Sequence, residues 1–243
     1  LQNVVSGQET MERFISQLSP KELEAISRGD YTMDSPLGKK GNAGVMGGVL
    51  PSLREKGIKP ITTTDGPSGI RIRSCCSLIP IGTAFACSFN TDLVRDVYAL
   101  ISKEMKDKGS DILLAPGMNI HRSPLCGRNF EYYSEDPVVS GKCGAAAIRG
   151  VQSQKTAVSM KHFACNNKEA NRMGCDSRIS ERALREIYLK GFEIAVKEGK
   201  PWTVMSSYNL INGQHTSESY ELLTGILRGE WGYKGMVVTD WGV

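Results

Sequence analysis

None of the seven cysteines belongs to a Cys-x-x-Cys pair, and the spacings of Cys75, Cys76, Cys87, Cys126, Cys143, Cys165 and Cys175 fit no zinc ribbon. Seven is also an odd number, so a disulfide scaffold is disfavoured and reduced thiols in a reducing compartment are expected. Histidine is scarce as well. His121, His162 and His215 match no metal motif in their spacing and are read as hydrogen-bonding groups, with no metal or cofactor expected. Charge of one sign is lacking too: 30 Lys and Arg against 26 Asp and Glu leave only +4, scattered along the chain. That balance argues against a nucleic acid or an anionic membrane as partner. No apolar run approaches the ~18 residues of a membrane-spanning helix. No basic n-region or apolar h-region opens the chain, and a cytoplasmic location is expected. Neither Gly-x-Gly-x-x-Gly nor a Walker motif follows the first strand-like run, which weakens the case for a nucleotide-binding sheet.

What the chain does have is regular alternation. Ser19-Pro20-Lys21-Glu22 is a capping box with Pro at the first helical position, and Gly29 is a stop. Asn90 caps a helix whose apolar positions recur at helical spacing, with Lys106 and Lys108 in its last turn and Gly109 after it. Further helices are predicted over 137–152, 180–197 and 219–227, and the stripe Ala183, Ile187, Phe192, Ala195 and Val196 is expected to face the core. Between them lie short apolar runs at 60–64, 112–115, 157–160, 203–206 and 236–239, with a sixth candidate at 79–86. They are near-continuous, as in parallel strands covered on both faces. The expected class is therefore α/β.

Polar groups gather after these runs: Asp65, then Asn119 to His121, Lys161 with His162, Tyr208 with Asn209, and Asp240. The C-terminal strand edge is where ligands bind in both barrels and open doubly wound sheets. A TIM-like (β/α)₈ barrel is favoured. Its first expected strand starts only at residue 60 and its last ends at 239, so a barrel that typically takes ~250 residues is expected to be incomplete at its C-terminal end.

Each candidate has a plain reading and a chemical one. Asp240, in Val238-Thr239-Asp240-Trp241-Gly242, is either a turn former or a carboxylate nucleophile with Trp241 as a platform for a sugar face. Asp65, before Gly66-Pro67, is either an Asx-turn or an acceptor for two sugar hydroxyls. Lys161 either snorkels, donates to a polyol, or forms a Schiff base as in an aldolase. Arg128 is either a solvated loop residue or a site cation.

The blocks 65–71, 114–122, 127–131, 134–137, 161–163, 205–209 and 239–242 appear in the order seen in glycoside hydrolase family 3. The stretch from residue 58 onward resembles that family, most closely its bacterial β-glucosidases. The resemblance implies one N-terminal-type barrel domain over 1–243 and retaining hydrolysis of terminal β-D-glucosyl residues, with xylosides not excluded. It implies Asp240 as the nucleophile that forms the glycosyl-enzyme. It places Asp65, Arg71, Arg128, Lys161, His162 and Tyr208 around the nonreducing sugar, with Trp241 beside it. Cations near Asp240 are expected to keep it ionised. The implied partners are a β-glucoside or short β-linked oligosaccharide and a second α/β domain of the same parent chain. That domain is expected to carry the acid/base, because Glu131, Glu135 and Glu169 match no such position, and the chain alone is expected to be inactive. A non-catalytic sugar-binding barrel and a Lys161 aldolase are the alternatives.

Overall fold

The computed structural model describes residues 1–30 and 32–243. Among these, nine strands follow in chain order: β1 (Gly44–Gly47), β2 (Pro60–Asp65), β3 (Ile112–Leu114), β4 (Ala157–Phe163), β5 (Asp176–Ser177), β6 (Thr203–Ser206), β7 (Leu210–Ile211), β8 (Gln214–His215) and β9 (Met236–Val238). The main sheet runs β1-β2-β3-β4-β6-β9, and its strands from β2 to β9 pair in parallel. Helices cross between them, and the sheet curls into an open partial barrel. A small sheet of β5, β7 and β8 lies beside it.

Local chemistry explains the helices between the strands. The Ser19 box closes in both directions at the helix Pro20–Arg28. Asn90 accepts from the Leu93 N–H at 3.0 Å to start Thr91–Lys108, and left-handed Gly109 ends it. Asp136 accepts from the N–H groups of Val138 and Val139 at the start of Pro137–Ser153. Where these two long helices meet, Gly150 lets them approach. A Cβ there would lie 2.3 Å from the Arg95 carbonyl.

The near-continuous apolar runs reflect burial on both faces. In β3, Leu113 joins the outer layer of Tyr98, Ile101, Met105 and Ile148, whereas Ile112 and Leu114 point to the inner cluster with Ala43 and Met205. At about 25 cal/mol per Å², each such side chain contributes about 1.5–3 kcal/mol.

Three sequence expectations change. The first pair of the sheet is antiparallel, because β1 precedes β2 and registers Gly44 against Thr63. Its glycine-rich sequence, Gly44-Val45-Met46-Gly47, reads as a loop and carries no strand signal. The segment 79–86 is not a strand: Pro80 lacks an N–H for a ladder, and a helix spans Gly82–Cys87. The helix predicted over 180–197 contains a π-helical turn at Leu184–Tyr188, in which the Leu189 N–H donates to the Leu184 carbonyl at 2.8 Å. That i to i+5 spacing buries Leu184 and Leu189 and leaves Ala183 and Ile187 only half-buried, while Phe192, Ala195 and Val196 face the core as expected. A second π-helical stretch, Glu221–Glu230, occupies the last predicted helix and buries Leu222, Ile226 and Leu227.

The sheet stays open between its edge strands β1 and β9, where a cavity of about 700 Å³ is lined by Val45, Met46, Val237 and Val238. Across the gap the Trp241 indole Nε1–H donates to the Ala43 carbonyl at 2.7 Å. No described helix is long and apolar enough to cross a membrane.

Candidate active site

A second cavity, of about 500 Å³, opens at the C-terminal strand edge. Asp65, Arg71, Arg128, Lys161, His162, Tyr208, Asp240 and Trp241 all line it. The fold brings together all eight residues that the resemblance places at the sugar site.

Asp65 ends β2, and the chain then doubles back so that the Arg71 N–H donates to the Asp65 carbonyl at 2.9 Å. Gly66 makes this reversal possible at φ 152°, where an added Cβ would sit 1.9 Å from the Gly69 carbonyl. The Arg71 guanidinium returns to the Asp65 carboxylate at 2.9 Å, and the Lys161 ammonium approaches the other oxygen at 2.6 Å. Burial alone would push the Asp65 carboxyl up. Lys161, with Arg71 and Arg128, outweighs it and holds the group below its ordinary value.

Lys161 and His162 lie within β4, not beyond its end as the apolar run suggested. Simple alternation would send consecutive side chains to opposite faces, yet both reach the cavity. The ladder to β6 shifts register between Met160 and Phe163, and such an irregularity re-aims side chains. The turn after β3 secures the pair from the other side: Lys161 N donates to the Pro116 carbonyl, and Met118 N to that of Lys161.

His162 is buried. Its surroundings, together with the cations Arg128, Lys161 and Arg172, push the imidazole well below its ordinary value, so it stays neutral. Its Nε2 lies 3.7 Å from Asp240 Oδ2, too far for a hydrogen bond. The other carboxylate oxygen, Oδ1, accepts from the Trp241 N–H at 2.9 Å, while Oδ2 is buried without a hydrogen-bond partner among the described residues. Burial raises the Asp240 carboxyl above its ordinary value, and the Trp241 N–H, Lys161, Tyr208 and Arg128 only partly oppose this. Lys161 and Arg128 act in the expected direction, toward the ionised form, without offsetting burial. Desolvation wins at Asp240.

Tyr208 follows β6 and is pushed up to about 12 by burial and by the Asp240 charge. Arg128 is engaged by the buried Glu131 carboxylate, so neither is free. Glu169 pairs with Arg172 at 3.0 Å, and Glu135 is exposed, outside the cavity lining. His121 bonds the Asn129 carbonyl at 2.8 Å, and His215 approaches that of Tyr208 at 3.3 Å.

The sequence profile of the glycosyl hydrolase family 3 N-terminal domain matches residues 50–243. The chain belongs to glycosyl hydrolase family 3. It is 49% identical over 237 residues to β-glucosidase A of Butyrivibrio fibrisolvens, covering 96% of this chain and 27% of that protein. The structure of a β-glucosidase from Paenibacillus barengoltzii superposes with a TM-score of 0.95 at 49% identity, over 99% of this chain and 26% of its own. That of β-glucosidase 3B from Thermotoga neapolitana in complex with glucose has a TM-score of 0.89 at 42% identity, over 96% and 34%. The chain thus spans about a quarter of the curated relatives it matches.

Within this family-3 barrel the structure adds site residues that the sequence does not single out. Arg172 lines the cavity and lays its guanidinium over the Tyr208 ring, 4.5 Å from the centroid. Tyr132 and Asn166 are buried behind His162. Asn166 belongs to the polar run Asn166-Asn167-Lys168-Glu169, which reads equally well as a solvated loop, and Tyr132 and Arg172 carry no such local signal.

Proposed function

We propose that the parent protein is a retaining β-glucosidase that forms its glycosyl-enzyme on Asp240, and that residues 1–243 form one barrel domain of it. The observation that carries this reading is the buried, hydrogen-bond-free Oδ2 of Asp240, facing a cavity ringed by Lys161, His162, Arg128 and Asp65. A carboxylate so placed is a nucleophile held with little solvent, and the ring of donors and acceptors suits a neutral polyol whose hydroxyls both give and accept. The glucose complex of the Thermotoga neapolitana relative supports a glucosyl group as ligand here.

Retention needs a second carboxyl about 5–5.5 Å away that acts as acid and then base. Within the cavity Asp65 and Glu131 are both held as ion pairs, which unfits them to donate a proton. The acid/base therefore comes from a second domain of the parent, and residues 1–243 alone are inactive. The Schiff-base alternative is disfavoured because Lys161 Nζ is committed to Asp65 at 2.6 Å. Free thiols at all seven cysteines suit a cytoplasmic location.

The test is to incubate the full-length parent with a 2-fluoro-β-glucoside and map the adduct. Covalent label on Asp240, with turnover of aryl β-glucosides by the parent and none by residues 1–243, is the expected result. Label on another residue, or robust turnover by residues 1–243, overturns the reading. Aryl β-xylosides in the same assay define the sugar preference.

A further inference from the structure

We propose that Tyr132, Asn166, Glu169 and Arg172 are positioning residues that decide which nitrogen of His162 carries its single proton, turning the Nε2–H toward Asp240. The consequence for catalysis rests on the nucleophile reading above. The tautomer itself does not.

The argument follows the direction of each hydrogen bond. An arginine side chain only donates, and Arg172 Nη1 donates to Glu169 Oε2 at 3.0 Å. A carboxylate only accepts, so the Asn166 atom 3.3 Å from Glu169 Oε1 must be the amide nitrogen. That same nitrogen donates to the Tyr132 hydroxyl oxygen, also at 3.3 Å. Asn166 Oδ1 has no partner among the described residues, and none of them pulls the amide the other way. With its oxygen accepting from Asn166, Tyr132 directs its own hydrogen to His162 Nδ1, 3.2 Å away.

The second neighbour of Nδ1 does not decide the tautomer. Asn119 Oδ1, at 3.3 Å, accepts from the His162 backbone N–H at 3.0 Å and is satisfied whether or not Nδ1 carries a proton. Its orientation is fixed, because Asn119 Nδ2 donates to the His162 carbonyl at 2.9 Å. A proton on Nδ1 would leave the buried Tyr132 hydrogen without an acceptor, which is costly in a low-dielectric interior. The proton of the neutral ring therefore sits on Nε2, the nitrogen 3.7 Å from Asp240 Oδ2.

Arg172 has a second grip, over the Tyr208 ring. One side chain thus braces both groups that flank the nucleophile. The charged and titratable groups that act on Asp240 are His162, Tyr208, Lys161 and Arg128. Replacing an N–H that faces the carboxylate by a lone pair disfavours ionisation.

The test uses the full-length parent with ¹⁵N-labelled histidine, comparing wild type, Tyr132→Phe and Glu169→Gln. In the wild type His162 shows an unprotonated Nδ1 and a protonated Nε2. In Tyr132→Phe the proton moves to Nδ1, where Asn119 Oδ1 receives it. The acid limb of kcat then moves up by about one pH unit. On the acid side of the limb kcat falls about tenfold while KM stays within about threefold. Glu169→Gln gives a smaller change of the same kind, and it decides the matter if Tyr132→Phe fails to fold. A wild-type proton on Nδ1, or variants with an unchanged tautomer and acid limb, overturns the proposal even if their stability drops. A parent that does not hydrolyse β-glucosides overturns the functional reading alone, and the nitrogen shifts still judge this one.

Discussion

Two aspartates share one cavity and stand at equivalent places, each at the C-terminal end of a strand, yet their surroundings drive them in opposite directions. Asp65 has a lysine at 2.6 Å and an arginine at 2.9 Å and lies below its ordinary value. Asp240 has one backbone N–H, a neutral imidazole and a phenol nearby, and lies above it. Burial acts on both. What separates them is whether a cation is in direct contact, and under the proposed reading that contact also separates the carboxylate that holds the sugar from the one that reacts.

The sharpest way to break this contrast is to neutralise each in turn in the full-length parent. Asp240→Asn is expected to lower kcat by at least about 10⁴-fold, measured on an aryl β-glucoside. If Asp65→Asn costs as much in kcat with unchanged KM, the assignment of roles is wrong. Stability reads the other half. Asp65→Asn strands the buried Lys161 ammonium and is expected to cost about 3 kcal/mol. Lys161→Met leaves a carboxylate whose side chain is still 31% exposed, and the loss is expected to be only about 1–2 kcal/mol. Denaturant unfolding midpoints rank the two.

The opposite shifts also predict opposite pH behaviour. A carboxyl lowered on folding stabilises above its unfolded value, and that share disappears as pH falls through the folded value. The difference between wild type and Lys161→Met should therefore persist down to about pH 4 and close only below it, as the pH falls through the lowered folded value. A carboxyl raised on folding stabilises at low pH, and the share is lost as pH climbs through the raised value. Asp240→Asn should therefore unfold about 1–3 °C higher than wild type at pH 7, and the gain should vanish in acid. The smallest effect is expected at Arg71, whose side chain is 74% exposed: Arg71→Ala should change stability by less than about 0.5 kcal/mol while raising KM several-fold.

Most of the fold was legible because its signals are local. The Ser19 box, the Asn90 and Asp136 caps and the five apolar runs each state their structure within a few residues. Features set by distant partners were not legible. β1 forms because β2 offers it an edge, and Leu184 and Leu189 are buried because one extra residue in a turn rotates the helix face. The site follows the same rule. Asp65, Lys161, His162 and Asp240 stand next to strand signals, whereas Arg172 matters through a ring 36 positions away (172 to 208), which no pattern in its own neighbourhood discloses.

The bond from Trp241 Nε1 to the Ala43 carbonyl closes a loop of 198 residues. Joining so long a segment from a disordered chain costs about 4–5 kcal/mol in loop-closure entropy, several times the about 1 kcal/mol that a single hydrogen bond returns. The seam therefore forms only after β2, β3, β4 and β6 have already brought its ends together. The turn that bears Asp240 is therefore expected to order late, after the strands that carry Asp65 and Lys161 have paired.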